Sequence, residues 1–175
     1  VRGKVGGLTS VGEGVPEDER EEAVETARRY FSLALGYALF GSSPTVIVTF
    51  GVIGSGKSTL AEMLARELSC PAVSSDRVRK EITGTGETER RREGYEGGIY
   101  SPETTVRTYE EIISRGMKAL EAHNIVILDA SFSKRRWRDM VARKSAGGGF
   151  GVVFVETTAP EGVLRGRLTK REKEG

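Results

Sequence analysis

Thr45-Val46-Ile47-Val48-Thr49-Phe50-Gly51-Val52-Ile53-Gly54-Ser55-Gly56-Lys57-Ser58-Thr59-Leu60 is the stretch on which the fold turns. Its β-branched run predicts a buried strand, its G-x-x-x-x-G-K-S run a glycine loop, and its amphipathic continuation a helix. That succession points backbone N–H groups at the phosphates of a nucleotide. Gly51, Gly54 and Gly56 let the backbone come close to an anion where a Cβ would clash. With Ile53, Ser55 and Thr59 they make up the expected cradle. Lys57 supplies a positive point charge for the β- and γ-phosphates of a nucleoside triphosphate, and Ser58 offers a hydroxyl to Mg²⁺. The following helix turns its positive dipole end toward the same anion. The competing reading is a glycine turn with no ligand. It is the weaker one, because the strand and helix that a cradle requires are both present.

Downstream, strands and helices alternate. The periodicity predicts a helix over 57–69 with Leu60, Met63, Leu64 and Leu68 facing inward, and a short strand at Pro71-Ala72-Val73-Ser74. A helix opens at Ser101-Pro102-Glu103, with serine as cap and proline at the first position; its apolar set is Val106, Tyr109, Ile112, Ile113, Met117 and Leu120. Ile125-Val126-Ile127-Leu128 reads as a fully apolar strand, the form taken when helices cover both faces of a parallel sheet. A helix near 134–146, the strand Val152-Val153-Phe154-Val155 and a helix from about 161 complete an α/β layered fold. Residues 84–100 carry no periodicity and are expected to form a mobile loop.

Upstream, residues 1–15 are glycine-rich and read as loop. Pro16 and the acidic run Glu17–Glu22 open a long helix through residue 40. Its apolar residues Ala23, Ala27, Tyr30, Phe31, Ala34, Leu35, Ala38 and Leu39 call for a cover. We therefore expect a loop-and-helix unit over 1–43 and an α/β domain over 44–175. Val1 in place of Met, and a charged segment that stops at Gly175, suggest a piece of something longer.

Composition narrows the function classes. With 175 residues and 37% hydrophobic content, one α/β core can be buried. A formal net charge of +2 gives no broad field for nucleic acid. A single cysteine, Cys70, excludes a disulfide framework and suits a reducing cytoplasm; beside Pro71 it reads as a structural thiol. No apolar run reaches the roughly 20 residues that span a bilayer.

Three strands deliver polar residues to the carboxyl edge of the sheet, where ligands of such folds collect. The first carries the glycine loop. The third ends at Asp129, the form of a carboxylate that holds Mg²⁺ beside Ser58; capping the next helix is the alternative use, for which Ser131 is the better placed. The second is followed by Asp76, on the acceptor side of a γ-phosphate, where a base would take the proton of an attacking hydroxyl. Capping of the helix 76–83 is again the alternative, though it leaves the crowding of Arg77, Arg79 and Lys80 unexplained. The basic runs 134–144 and 165–173 are mostly solvated helix faces. Arg167 and Arg171, four apart, could close together over a triphosphate. His123 reads as a helix-terminal residue, and Trp137 as packing rather than base stacking.

Taken in order, Gly51–Leu60, Ser75-Asp76-Arg77-Val78-Arg79-Lys80, Ile99-Tyr100-Ser101-Pro102-Glu103, Val126-Ile127-Leu128-Asp129-Ala130-Ser131-Phe132 and Arg167-Leu168…Arg171 resemble small P-loop kinases of the gluconate kinase, zeta toxin and polynucleotide kinase type. The resemblance runs from about residue 20 to 175. It is nearest to the kinase domain that ends bacterial bifunctional aminoglycoside phosphotransferase/ATP-binding proteins. It implies a P-loop NTPase fold, ATP and Mg²⁺, and transfer of the γ-phosphate to a hydroxyl of a small molecule. By the same resemblance Lys57 and Ser58 contact phosphate and metal, and Asp76 orients the acceptor. Arg79 and Arg138 lie near the substrate, and Arg167 with Arg171 are lid arginines. The segment Ala27–Ala34 looks like the last helix of an upstream phosphotransferase-like domain. Domains of this type continue past the lid with a further strand and helix, and the stretch Glu87–Glu93 is unusually charged for an acceptor pocket. Two other functions stay in play: an ATP-binding regulatory module with no second substrate, and a kinase for nucleic-acid 5′-hydroxyls, against which the near-neutral charge argues.

Overall fold

The computed structural model describes residues 2–84 and 100–174, with side chains through Lys170. The expected loop over 84–100, with the charged stretch Glu87–Glu93, falls almost wholly outside the described residues. Four strands, β1 (Thr45–Gly51), β2 (Ala72–Ser74), β3 (Ile125–Asp129) and β4 (Gly151–Thr157), form a parallel sheet in the order β2-β3-β1-β4. Five helices belong to the same layered unit: α3 (Lys57–Glu67), α4 (Ser75–Thr83), α5 (Pro102–Ala119), α6 (Arg135–Gly147) and α7 (Glu161–Glu174).

The sheet carries a core on each face because its side chains alternate. Val46 and Val48 of β1 pair in register with Val126 and Leu128 of β3, and these face Tyr109, Ile112, Ile113, Trp137 and Val141 of α5 and α6. Ile47 and Ile127 face the other way, onto Ala61, Leu64 and Leu68 at α3. All five residues of β3 are buried, as a strand covered on both sides must be. At α5 the Ser101 hydroxyl accepts the Thr104 N–H at 3.1 Å, so the expected cap forms. Trp137 is buried and stacked on Tyr109 with centroids 4.6 Å apart. His123 closes the end of α5 by donating its N–H to the Ala119 carbonyl. Burial pushes the Cys70 thiol up to about 11, so it stays protonated and inert at neutral pH.

Three expectations are corrected. Residues 2–10 are not loop: they form α1 (Arg2–Ser10), which packs on α2 (Glu17–Phe40). Here glycine serves contact rather than breakage. A Cβ on Gly6 would lie 2.9 Å from the Ala23 carbonyl, and one on Gly3 would lie 3.1 Å from Tyr30 Cβ. Second, of the apolar residues named on α2 only Ala23 and Ala27 are buried; the helix meets the α/β unit through Phe40 and through small residues instead. The Ser32 hydroxyl donates to the Glu67 carbonyl at 2.7 Å, and Gly36 sits against Ile125. Phe31, Leu35 and Leu39 are left exposed. Third, Met63 is exposed, because Ala61 takes the inward position on α3.

Ser145 of α6 is fully buried, and its hydroxyl has no hydrogen-bond partner among the described residues. A buried, unpaired hydroxyl costs about 1–3 kcal/mol, and alanine is the better helix former. Ser145→Ala should therefore raise stability by about 1 kcal/mol in a denaturant titration; a loss of similar size would contradict this packing.

Candidate active site

The glycine loop leaves β1 in a conformation that only glycine accepts. Gly51 has φ 143°, Gly54 81° and Gly56 98°. A Cβ on Gly51 would lie 2.3 Å from the Thr157 carbonyl oxygen, so the first glycine is demanded by β4 as much as by any ligand. Gly56 is the left-handed residue from which α3 starts, and Leu60 N–H closes the first helical turn onto its carbonyl. Lys57 Nζ donates to the Val52 carbonyl at 2.8 Å, folding the ammonium back over the loop. Ser58 and Thr59 stand exposed in the first turn of α3, and Ile53 is exposed at the loop tip.

The register of the sheet puts the polar strand ends in one row. Thr49 of β1 pairs with Asp129 of β3, and Asp129 pairs with Ser74 of β2. Asp76 lies two residues beyond Ser74, exposed in the first turn of α4. Burial pushes the Asp129 carboxyl above the ordinary carboxylate range. The Ser58 hydroxyl, the Lys57 charge and the Thr49 hydroxyl oppose that rise, and the charge of Asp76 adds to it. Lys57, Ser58, Asp76 and Asp129 therefore share one electrostatic site.

Neither carboxylate has the alternative use considered for it. α6 starts at Arg135 with Lys134 as its cap residue, so Asp129 caps no helix, and Ser131 instead pairs its hydroxyl with Tyr109 at 2.9 Å. α4 starts from Ser74, and Asp76 is already inside it.

The arginines divide. Arg167, exposed on α7, donates to the Gly54 carbonyl at 2.8 Å and so lies on the glycine loop. Arg171 is one turn further along α7; its side chain falls outside the described residues. Arg79 is buried, with its guanidinium 4.9 Å above the Tyr100 ring and Nη1 3.5 Å from the Thr105 hydroxyl. Arg138 donates to the carbonyls of Phe132 and Ser133 and lies over the Phe50 ring, so here it braces the loop after β3.

Three side chains important to this geometry carried no sequence signal of their own. Thr49 hydroxyl lies 3.4 Å from Asp129 Oδ1. Thr157 hydroxyl contacts the glycine loop. Tyr109, which the periodicity assigns simply to the core, accepts the N–H of Phe132, a residue in left-handed backbone. Thr157 ends β4 and Thr49 lies two residues before the end of β1, and that closeness to the ligand edge is the one cue that could have marked them.

An ionised carboxylate in a buried place weakens the fold. Its folded pKa is raised, so stability falls as pH climbs through the range between the unfolded and folded values, and at neutral pH the cost is in force. Asp129→Asn should then raise the melting temperature of the ligand-free protein. A lowered melting temperature would show that the carboxylate is a structural partner rather than a strained one.

A parallel sheet with β1 and β3 adjacent, a glycine loop running into α3 and a carboxylate ending the neighbouring strand define the P-loop kinase fold. Residues 46–175 match the family model of the AAA domain (AAA_33), and the chain belongs to that family. An uncharacterised protein of Mycobacterium tuberculosis is 26% identical over 152 residues, 87% of this chain and 30% of the relative; its Mycobacterium bovis counterpart matches equally. The chain thus spans about a third of the length of the curated relatives it matches. Among solved structures, a candidate kinase from Chloroflexus aurantiacus superposes with a TM-score of 0.57 at 19% identity, covering 77% of this chain and 70% of its own. A sugar kinase from Janibacter sp. superposes with a TM-score of 0.50 at 23% identity, covering 74% and 68%. These likenesses concern the fold. Among the described residues, no helix is long and apolar enough to cross a membrane.

Proposed function

We propose that this chain is an ATP-dependent phosphotransferase that moves the γ-phosphoryl group to a hydroxyl of a small molecule. The carrying observation is the row Thr49–Asp129–Ser74, which sets Asp76 across β3 from the glycine loop, close enough for its charge to act on Asp129. In this reading the backbone of Gly51–Gly56 and the Lys57 ammonium bind the β- and γ-phosphates. Asp76 accepts the proton of the acceptor hydroxyl, whose oxygen bonds to the γ-phosphorus as the bond to the β–γ bridging oxygen breaks and ADP departs. Arg167, with Arg171, stabilises charge on the transferring group, and Arg79 and Arg138 border the acceptor side.

The residues present fit Mg²⁺. Among the described residues no group of three or more His, Cys, Asp or Glu side chains converges on a metal position. The Ser58 hydroxyl and the Asp129 carboxyl, close enough for a hydrogen bond between them, would supply the protein oxygens, with the nucleotide's phosphates and water completing the Mg²⁺ shell. Bound there, it would neutralise charge on the β- and γ-oxygens.

An ATP-consumption screen over sugars, aminoglycosides, nucleosides and oligonucleotides tests the reading. Acceptor-stimulated ADP release with one small-molecule class supports it. Saturable ATP binding with no acceptor-stimulated release favours the regulatory module, and release with oligonucleotides that falls steeply with salt favours the nucleic-acid kinase.

The greater length of the relatives and the exposed Phe31, Leu35 and Leu39 on α2 support one further reading. In it the α1–α2 hairpin packs on a phosphotransferase-like domain that precedes it in a longer polypeptide. Replacing Phe31 and Leu39 by serine should then open this hairpin to protease in that polypeptide while residues 45–157 stay protected.

A further inference from the structure

Gly51 and Thr157 stand opposite each other in the β1–β4 register, where the glycine loop leaves the sheet. The Thr157 hydroxyl lies 3.2 Å from the Phe50 carbonyl and 2.7 Å from the Ser55 hydroxyl. Each hydroxyl has a single proton to give. Since the carbonyl can only accept, Thr157 donates to Phe50 and Ser55 donates to Thr157. The result is a short directed chain from the middle of the loop, through β4, to the last peptide of β1.

Ser55 is 7% exposed, so its hydroxyl is buried in this contact. A Cβ on Gly51 would fall 2.9 Å from the Thr157 hydroxyl and 3.1 Å from that of Ser55. The hydroxyl pair therefore fills the space that the missing side chain of Gly51 leaves. Beyond Thr157 the chain passes into α7, whose Leu164, Arg167 and Leu168 approach Gly54. One segment thus grips the loop at two consecutive residues, Gly54 and Ser55.

From this geometry we infer that Thr157 is a positioning residue for the nucleotide, acting through Ser55. Its hydroxyl holds the glycine loop in the anion-binding shape before the phosphates arrive. The inference rests on the ATP-binding reading above. Without this anchor the loop samples other shapes, and only the competent fraction binds, so apparent affinity drops by that fraction. The loop once closed on phosphate is the same, so the transfer step is spared.

The test is a double-mutant cycle read in ATP dissociation constant and kcat. Thr157→Val keeps the β-branched shape and removes the hydroxyl; Ser55→Ala removes the other member. Each should weaken ATP binding about 3–12-fold, the effect of a neutral hydrogen bond of up to about 1.5 kcal/mol, while kcat of the Thr157→Val variant at saturating ATP changes less than about threefold. The double variant should be no weaker than the worse single one, because both remove one interaction. Thr157→Ser should restore affinity to within about twofold. A purely structural role would lower the melting temperature without this pattern of affinity. If the unmodified protein binds ATP and both single variants keep its affinity, or if their losses multiply in the double variant, the inference fails and the ATP site stands. If the unmodified protein binds no ATP, the functional reading itself fails and takes this one with it. Should Thr157→Val not fold, Ser55→Ala with Thr157→Ser still decides the matter.

Discussion

Asp76→Asn should slow phosphotransfer by about 10²–10⁴-fold, the range that a positioned general base supplies, and leave the ATP dissociation constant within about twofold. The asymmetry follows from where the residue sits. Asp76 is exposed and one strand removed from the glycine loop, so no phosphate contact passes through it. Asparagine keeps its size and loses only the ability to take a proton. The fold should tolerate the change: the side chain is exposed, and losing a carboxylate from the first turn of α4 costs about 0.3–1 kcal/mol. Steady-state kinetics on the acceptor found by the screen, with ATP binding measured separately, reads both quantities. Turnover that survives would mean the base lies elsewhere. A parallel loss of ATP affinity would mean that Asp76 serves the nucleotide rather than the acceptor.

Lys57→Ala should abolish the protection that ATP gives against thermal unfolding. At a hundredfold excess over the dissociation constant, a ligand stabilises the native state by about 2.7 kcal/mol, which in a domain of this size is a shift of roughly 5–10 °C. In the proposed function Lys57 brings positive charge to the β- and γ-phosphates, and charge-assisted contacts with phosphate are about twice as strong as neutral ones. Thermal scans of the two proteins with and without ATP and Mg²⁺ measure the effect. In the ligand-free protein the ammonium is half-buried and hydrogen-bonded to the Val52 carbonyl at the surface, so the variant alone should melt within a few degrees of the parent. Undiminished protection by ATP would place the nucleotide away from residues 51–58.

Both expectations rest on features that local sequence displays. β1, the glycine loop and α3 form a continuous run whose covalent order fixes their geometry. Ile125–Asp129 announces itself because a strand covered on both faces has no polar alternation to hide it. What local sequence could not display were relations between distant residues. The glycines of α1 look like breakers until Ala23 and Tyr30 are seen lying against them. Ser131 looks like a helix cap, because nothing nearby in sequence reveals that Tyr109, twenty-two residues earlier, takes its hydroxyl. The apolar stripe of α2 called for a cover without saying which, and the α/β unit takes Ser32, Gly36 and Phe40 while Phe31, Leu35 and Leu39 stay exposed. Thr157 stands 102 residues from Ser55, and only the β1–β4 pairing joins them.

The central claim is that the loop between β1 and α3 is a nucleotide cradle, and calorimetric titration of the unmodified chain with ATP tests it most directly. The account predicts one saturable site per chain, strengthened when Mg²⁺ is present because Ser58 and Asp129 then share the metal with the phosphates. No saturable heat at millimolar ATP, with or without Mg²⁺, would contradict it.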